Sequence, residues 1–183
     1  MQPSPVLAAG AVTMRRHVPE DREAIIEACR DEETWRWTTV PHPYEPAHAD
    51  AYLARTIGSE VDQEWPRWAI EVAGRFAGNL GCSVDSGLAK VGYWVSPWAR
   101  GRGVATLALW LACDWAFRDG GCTVVGWEAL IGNDGSRRVA EKVGFQIKAE
   151  PLRRYVAQRG ERVDVWYGDL QPEDLVALET LLP

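Results

Sequence analysis

Apolar residues recur along the chain with two different periods. In some segments they return every three to four positions, which is typical of amphipathic helices. In others they alternate with polar residues or form β-branched runs between Gly, Pro and Asp, which is typical of strands. The longer period predicts helices over Glu20–Asp31, Ala47–Ile57, Gly103–Arg118 and Asp134–Val143. The shorter period predicts strands over Val12–His17, Trp68–Ala73, Phe76–Val84, Lys90–Val95 and Cys122–Ile131, and two more within Ile147–Leu170, joined near Arg159 and Gly160.

Three segments lack a clear period. Trp35–Tyr44 contains Pro41 and Pro43, which disfavour helix around them, so we expect an extended loop there. Residues 1–10 form a short, proline-containing segment that we expect to be flexible. The acidic end of the chain, Pro172–Leu181, is expected to form a short helix.

The order of these elements predicts the fold. It reads β-α-α-β-β-β-α-β-α-β-β, and the three consecutive strands predict an antiparallel meander. The strand–helix–strand piece over residues 90–131 is expected to pair as a parallel or splayed unit. We therefore expect an α/β (α+β) fold with a mixed, mostly antiparallel central sheet and helices on both faces. The 183 residues carry no repeat or low-complexity linker, which indicates a single domain over residues 1–183.

Composition excludes several classes of protein. Hydrophobic residues make up 46% of the chain and ten residues are Trp, so the chain can bury a core and is not disordered. A net charge of −6 without a basic tract argues against a nucleic-acid partner. The longest nearly apolar run, Val104–Phe117, is shorter than the ~20 residues of a membrane span, so no membrane partner is expected. Without an export signal at its N-terminus, the protein is expected to be cytoplasmic.

The four cysteines, Cys29, Cys82, Cys113 and Cys122, show no CxxC spacing. Paired cysteines at such spacing are the usual sign of a metal or redox site. We therefore expect reduced, mostly buried thiols and no metal site.

The negative charge lies in the first two-fifths of the chain. Residues 1–71 hold 13 acidic and 7 basic side chains, whereas residues 72–183 hold 13 of each. Solvated helix faces would give this distribution, and so would two sections that face ligands of different charge.

The most informative stretch runs from Trp94 to Thr106, with the sequence WVSPWARGRGVAT. It leaves a predicted strand and enters a predicted helix, and its glycines allow a tight turn in which backbone N–H groups approach a ligand. The first N–H groups of a helix lack internal partners and, with the helix dipole, bind phosphate oxygens. Arg100 and Arg102 add cations suited to phosphate. A Walker P-loop would end in Gly-Lys-Ser/Thr, and a dinucleotide fingerprint would need a third glycine where Thr106 stands.

Two motifs resemble those of a known family. Arg100-x-x-Gly103-x-Ala105, after a strand that ends in Trp-Val-x-Pro, resembles the coenzyme A pyrophosphate loop of the GCN5-related N-acetyltransferase (GNAT) superfamily. About 30 residues further on, the segment from Asn133 to Phe145, NDGSRRVAEKVGF, is similar to a segment of the RimJ/RimL branch. The alternatives for the first motif are a plain strand–helix turn and a dinucleotide-dependent enzyme.

The resemblance implies a coenzyme site. Acetyl-CoA would be the cosubstrate, and the sheet would be splayed where the pantetheine arm lies between two strands. A backbone N–H near Val95 would face the developing oxyanion, and the loop amides would hold the pyrophosphate. The residues expected to bind the coenzyme are Trp94, Val95, Ser96, Arg100, Gly101, Arg102, Gly103, Val104, Ala105, Thr106, Asn133 and Arg138.

The resemblance also implies two catalytic residues beside the coenzyme. In RimL-like members a serine at the position of Ser136 is thought to protonate the leaving thiolate. Other members use a tyrosine of this helix, which has none here, so Ser136 or a water would take the role. Asn133 offers a donor and an acceptor that could fix the pantetheine arm or a water. Both side chains could instead only cap the helix.

No motif fixes the base that accepts the proton of the amine. Glu128 is the expected base, because it stands in an otherwise apolar strand just before Asn133. An outward-facing strand residue is the alternative interpretation of Glu128, and Glu71, His42 and His48 are the other candidates.

The acceptor is expected to contact three aromatic residues. Trp35, Trp37 and Tyr44 could attract an ammonium group through their rings, or they could pack between helix and sheet. The expected function is direct transfer of an acetyl group from acetyl-CoA, in a ternary complex, to a primary amine of a protein N-terminus or a small molecule. The alternative is a coenzyme A-binding regulatory module without transferase activity. The resemblance covers about residues 13–170, which are the expected core of the domain. A homodimer is expected from the family resemblance alone.

Overall fold

The computed structural model describes residues 5–58 and 66–182. The helices in these ranges are α1 (Arg22–Arg30), α2 (Glu32–Trp37), α3 (Pro46–Gly58), α4 (Val104–Arg118) and α5 (Asp134–Val143). The strands are β1 (Leu7–Ala9), β2 (Val12–Arg15), β3 (Arg67–Val72), β4 (Arg75–Asp85), β5 (Leu88–Val95), β6 (Val124–Leu130), β7 (Gln146–Ile147), β8 (Leu152–Gln158) and β9 (Glu161–Leu170).

The strands form a single nine-stranded sheet within the described ranges. Its order is β1-β2-β3-β4-β5-β6-β9-β7, and β8 also pairs with β9. Every neighbouring pair is antiparallel except β5 and β6, which are parallel. This confirms the mixed, mostly antiparallel sheet predicted from the sequence.

Helices cover both faces of the sheet. In β3, Trp68 and Ile70 point into a large core formed with α4 and α5, whereas Ala69 between them belongs to a second core with α1 and α3. Successive residues of a strand point to opposite faces, so a strand buried on both faces is apolar almost throughout. Helix α4 is apolar on nearly all sides because it packs across several strands. No helix among the described residues is both long and apolar enough to cross a membrane.

The structure corrects three expectations about irregular segments. Residues Trp35–Trp37 are the end of α2 and not part of an extended loop. Asp31 caps α2 by accepting a hydrogen bond from Thr34 N at 3.1 Å, and the prolines act only further along the chain. At the N-terminus, Leu7–Ala9 pairs with β2, so only residues 1–4 of the expected flexible segment lie outside the described residues. The acidic end forms two short 3₁₀ turns, at Pro172–Asp174 and Leu178–Thr180, and no α-helix.

Strands β5 and β6 separate after a short parallel contact. They pair only at Leu88, Ala89 and Lys90, although β5 continues to Val95 beside β4. From Val91 onward, the edge of β5 that faces β6 is therefore open within the described residues. The unit over residues 90–131 is thus both parallel and splayed, as predicted.

Candidate active site at the splay of the sheet

Two cavities open where β5 and β6 separate. The loop cavity, of about 390 Å³, lies between the turn after β5, the start of α4 and one side of α5. The sheet cavity, of about 380 Å³, lies between the separated strands and the segment after α2. Both cavities are lined by Trp37, Thr38, Tyr93, Trp94, Asn133 and Ser136. A molecule bound in one cavity can therefore touch a molecule bound in the other.

The loop cavity holds the amino end of α4. Gly101 and Gly103 both have left-handed backbone conformations, with φ of 72° and 76°, which glycine adopts without strain. Gly103 is the N-cap of α4, no side chain caps the helix in the described structure, and its first turn carries no acidic residue. The first amides of a 15-residue helix therefore point into the cavity together with the positive end of the helix dipole. This is an arrangement that binds phosphate oxygens.

The Arg100 guanidinium has internal partners. Its Nε donates to the Val95 carbonyl at 3.1 Å, and its Nη2 donates to Asp31 Oδ1 at 2.5 Å and to Thr34 Oγ1 at 2.9 Å. Burial raises the pKa of Asp31, but the Arg100 hydrogen bond outweighs it and the pKa lies below its ordinary value. Arg100 thus ties the loop to the junction of α1 and α2, in addition to lining the loop cavity.

Two other cations line the loop cavity. Arg138 and Lys142 stand four residues apart on α5, so they share one side of that helix. Arg102 is exposed and does not belong to the described lining of either cavity. Arg137 pairs with Glu141 at 2.9 Å on another side of the helix.

The backbone of β5 presents polar groups to the splay. Ser96 N donates to the Ala77 carbonyl at 2.8 Å, so the Ser96 amide points toward β4. Successive residues of a strand direct their N–H groups to opposite edges, and Val95 N–H therefore points toward the open side. Ser96 itself is buried, whereas Val95 lines the loop cavity.

Ser136 lies at the junction of the two cavities with two aromatic partners. Trp127 Nε1 donates to Ser136 Oγ at 3.1 Å, and Tyr93 Oη lies 2.9 Å from the same oxygen. Burial raises the pKa of Tyr93 to about 12, so its hydroxyl is protonated at neutral pH. A serine hydroxyl has two lone pairs and one hydrogen. When Tyr93 is the donor of its pair, Trp127 and Tyr93 occupy both lone pairs of Ser136 Oγ, and the Ser136 hydrogen can point into the space where the two cavities meet.

Asn133 caps α5. Its Oδ1 accepts a hydrogen bond from Ser136 N at 3.1 Å, which is the capping role considered in the sequence. The residue still lines both cavities. Capping and contact with a ligand are therefore compatible at this position.

Comparison with known proteins identifies the family. The acetyltransferase (GNAT) domain model matches residues 11–146. The chain belongs to the GNAT acetyltransferases. Its curated relatives include "Putative ribosomal N-acetyltransferase YdaF" of Bacillus subtilis, which is 26% identical over 148 residues, 73% of this chain and 77% of YdaF.

Solved structures show the same GNAT fold. RimJ of Mycobacterium smegmatis, in complex with CoA-disulfide, has a TM-score of 0.84 and 23% identity, covering 97% of this chain and 93% of RimJ. RimL, described as a ribosomal L7/L12 alpha-N-protein acetyltransferase in complex with coenzyme A, has a TM-score of 0.73 and 16% identity, covering 91% of this chain and 98% of RimL. The membership of the GNAT superfamily that the two motifs implied is confirmed, and RimJ and RimL share the fold of this chain.

In this acetyltransferase the sheet cavity is largely apolar and aromatic. Of its described lining residues, only Glu128 carries a charge. Glu128 has no hydrogen bond or ion pair with the described residues. The acidic residues of the first section do not line this cavity, and several of them pair with arginines, as Asp50 does with Arg22 at 2.5 Å. The excess of acidic residues in residues 1–71 therefore does not give the sheet cavity its negative charge.

The other candidate bases have different surroundings. Glu71 accepts from Arg15 Nε at 2.6 Å. His48 Nδ1 accepts from Glu45 N at 3.0 Å at the start of α3. His42 is exposed and stacks on the ring of Trp35. Glu71, His42 and His48 line neither cavity in the described structure.

The three predicted aromatic contacts separate into two groups. Trp37 lines both cavities. Trp35 stands outside them, between His42 at 4.4 Å and the Arg159 guanidinium at 4.7 Å. Tyr44 is 6% exposed and packs in the second core, because the chain after the prolines folds back onto α1 and α3.

Sequence reasoning missed many residues that line the cavities, and four of them have polar groups that bear on the chemistry proposed below. These four are Tyr52, Asn79, Tyr93 and Lys142. The motif Glu-Lys-x-Gly-Phe already contains Lys142, and its spacing from Arg138 places both on one side of the helix. For the other three, no local pattern distinguishes a cavity residue from a packed one.

Proposed function

We propose that this acetyltransferase transfers the acetyl group of acetyl-CoA directly to a primary amine, with both substrates bound at once. The observation that carries the proposal is the meeting of two cavities at Ser136, Tyr93 and Trp94. The loop cavity would hold the coenzyme and the sheet cavity the amine. The thioester would then lie at their junction.

The residues of the loop cavity fit the coenzyme's phosphates. The uncapped start of α4 supplies backbone donors, and Arg138 and Lys142 supply cations on the opposite wall. The role of Arg100 in this proposal is to hold the loop in place through Asp31 and Val95. Arg102 would remain available to phosphates outside the cavity.

The open edge of β5 supplies electrostatic stabilisation. As the amine attacks, charge develops on the thioester oxygen, and the Val95 N–H is directed to the side where that oxygen would lie. When the carbon–sulfur bond breaks, the thiolate takes a proton from the Ser136 hydroxyl, and the serine oxygen regains a proton from the nitrogen that becomes the amide. Tyr93 and Trp127 favour that transfer because both donate to, or can donate to, Ser136 Oγ.

Glu128 is the proposed base. It is the charged residue of the sheet cavity, and a carboxylate attracts an ammonium group as well as accepting its proton. The surrounding rings of Trp37, Trp94 and Trp127 keep the cavity apolar and strengthen this attraction.

The acceptor is proposed to be the α-amine of a protein N-terminus or a small-molecule amine. The names of YdaF and RimL, which describe acetylation of ribosomal proteins, favour the protein N-terminus. The cytoplasmic location and the homodimer stay predictions from the sequence.

An assay of thiol release tests the proposal. The purified protein is incubated with acetyl-CoA and a panel of peptides with free N-termini, polyamines and aminoglycosides, and the free thiol is measured. We expect release that depends on the amine and is reduced at least tenfold in Glu128→Gln. Coenzyme binding without release for any amine would contradict transfer and favour the regulatory module.

A further inference from the structure

A group of polar side chains lies under the sheet cavity and has no part in the chemistry described above. His17, at the end of β2, is 4% exposed. Around it stand Asp21 from the turn before α1, Tyr52 from α3, and Asn79 from β4. Tyr52 and Asn79 also line the sheet cavity. The group therefore connects a buried histidine to the surface of that cavity.

The distances determine which way the Asn79 amide points. Tyr52 Oη donates to Asn79 Oδ1 at 2.5 Å, and His17 Nε2 lies 2.9 Å from the same atom. A separation of 2.5 Å fits a hydrogen bond between two oxygens and is too short for a hydrogen bond to an amide nitrogen. The oxygen of Asn79 therefore faces Tyr52 and His17, and it accepts from both.

The amide nitrogen of Asn79 is left facing the cavity. Asn79 is only half-buried and lines the sheet cavity, and its Nδ2 has no hydrogen-bond partner among the described residues. An amide NH₂ group is a donor with two hydrogens and accepts nothing. The neighbouring strand places Trp94 directly opposite Asn79, so the donor stands close to the junction of the two cavities.

We propose that Asn79 is a specificity-determining residue that donates a hydrogen bond to a carbonyl oxygen of the acceptor. The inference rests on the proposed function. An acceptor with a carbonyl group beside its amine could contact Glu128 and Asn79 at the same time. Its ammonium would meet the Glu128 carboxylate and its carbonyl would meet the Asn79 amide. Peptide N-termini and amino-acid amides have this arrangement, whereas polyamines lack it.

His17 is a positioning residue in this proposal. Its Nδ1 lies 3.5 Å from Asp21 Oδ2, and Asp21 is held in turn by Arg15 at 2.8 Å. The ring also packs against Tyr52 in an edge-to-face contact at 5.3 Å. Through its contact with Asn79 Oδ1 at 2.9 Å and its packing against Tyr52, His17 keeps the Asn79 oxygen turned toward the buried group and the nitrogen turned toward the cavity.

A pair of matched amines tests the role of Asn79. L-Alaninamide carries a carbonyl beside its amine, and propan-2-amine has a methyl group where alaninamide has its carboxamide. For wild type and for Asn79→Asp we measure kcat/KM of acetyl transfer to each amine at one pH. This substitution preserves the shape of the side chain, because aspartate keeps one oxygen for Tyr52 and His17. It replaces the cavity-facing donor by an acceptor and adds a negative charge, which acts on the ammonium groups of both amines alike.

We expect Asn79→Asp to lower the ratio of alaninamide to propan-2-amine on the order of tenfold relative to wild type, the effect of one lost hydrogen bond. Comparing ratios cancels the different basicities of the two amines. Glu128→Gln is the comparison variant. It should reduce transfer to both amines without lowering the ratio of alaninamide to propan-2-amine, because propan-2-amine is the stronger base and depends more on removal of a proton. His17→Phe should lower the ratio in the same direction as Asn79→Asp, with the KM for acetyl-CoA unchanged.

Equal losses for both amines in Asn79→Asp, or an unchanged ratio in both variants, would overturn the inference while leaving the proposed function intact. Failure of the wild type to acetylate either amine or any peptide would instead overturn the proposed function, and the inference with it. The two failures are therefore distinguishable in one set of measurements.

Discussion

Replacing Ser136 by alanine should separate the catalytic contribution of its hydroxyl from its structural one. The substitution removes the oxygen that accepts from Trp127 Nε1 at 3.1 Å and contacts Tyr93 Oη at 2.9 Å. Trp127 is 1% exposed, so its N–H loses its hydrogen-bond partner in a buried position. Tyr93 retains a weaker contact with the Ser136 carbonyl at 3.4 Å.

The size of both effects follows from these contacts. One buried donor left without an acceptor costs about 1–3 kcal/mol, so the free energy of unfolding should fall by about 2 kcal/mol in Ser136→Ala. Loss of a group that donates a proton in the transition state typically lowers the rate by ~10²-fold or more. We therefore expect a folded protein whose kcat is reduced about a hundredfold at neutral pH.

The assay combines urea unfolding with thiol release at saturating acetyl-CoA and amine. Tyr93→Phe is the control, because it removes one partner of Ser136 Oγ and leaves the Ser136 hydrogen. It should be destabilised similarly but lose much less activity than Ser136→Ala. A Ser136→Ala protein that turns over within threefold of wild type at neutral pH would refute the reasoning. The reverse order of the two variants would make Tyr93 the proton donor.

Two further substitutions test the contacts that hold the site. Burial raises the pKa of Asp21, but the neighbouring His17 ring and the hydrogen bonds from Arg15 and from Val18 N outweigh it and hold the pKa well below its ordinary value. The stability that the ionised Asp21 contributes is present above pH ~4, the ordinary pKa of aspartate, and is lost as the pH falls further. The free energy of unfolding of Asp21→Asn, measured in urea, should therefore be about 2 kcal/mol lower than that of wild type at pH 7. This difference should shrink toward pH 3. A constant difference would contradict this sign. Arg100→Ala should raise the KM for acetyl-CoA about tenfold. Arg100→Lys should not restore the KM, because only the planar guanidinium can bond to Asp31, Thr34 and Val95 together. An unchanged KM would show that the loop does not need these hydrogen bonds.

Much of the fold could be predicted because its signals are local. The apolar run of α4 and the glycines before it mark a strand, a turn and a helix within the residues themselves. The start of α2 was also readable, since Asp31 stands three residues before Thr34 and acids fill the first turn. The prolines after Trp37 favour an extended chain, and the prediction of a loop was wrong because it extended their effect back to Trp35.

The site was less predictable because its contacts join distant parts of the chain. The partner of Arg100 is Asp31, 69 residues earlier, and nothing around either residue indicates the other. Tyr93 reaches Ser136 only because β5 and α5 meet at the splay, 43 residues apart in sequence. His17 and Asn79 are 62 residues apart and have no motif. The excess of acidic residues in residues 1–71 did not predict the charge of the sheet cavity for the same reason. Ion pairs between distant segments determine which charged side chains face a cavity.

The short contact between β5 and β6 also bears on how the molecule can move. Three residue pairs join two half-sheets, one from β1 to β5 and the other from β6 to β9. A hinge of this length resists bending far less than a fully paired strand, while α4 packs against strands of both halves and limits how far they part. The cleft between β5 and β6 can therefore change its width. Hydrogen exchange at the amides of Tyr93 and Val95, measured with and without coenzyme A, would report how far a molecule bound in the cleft reduces this motion.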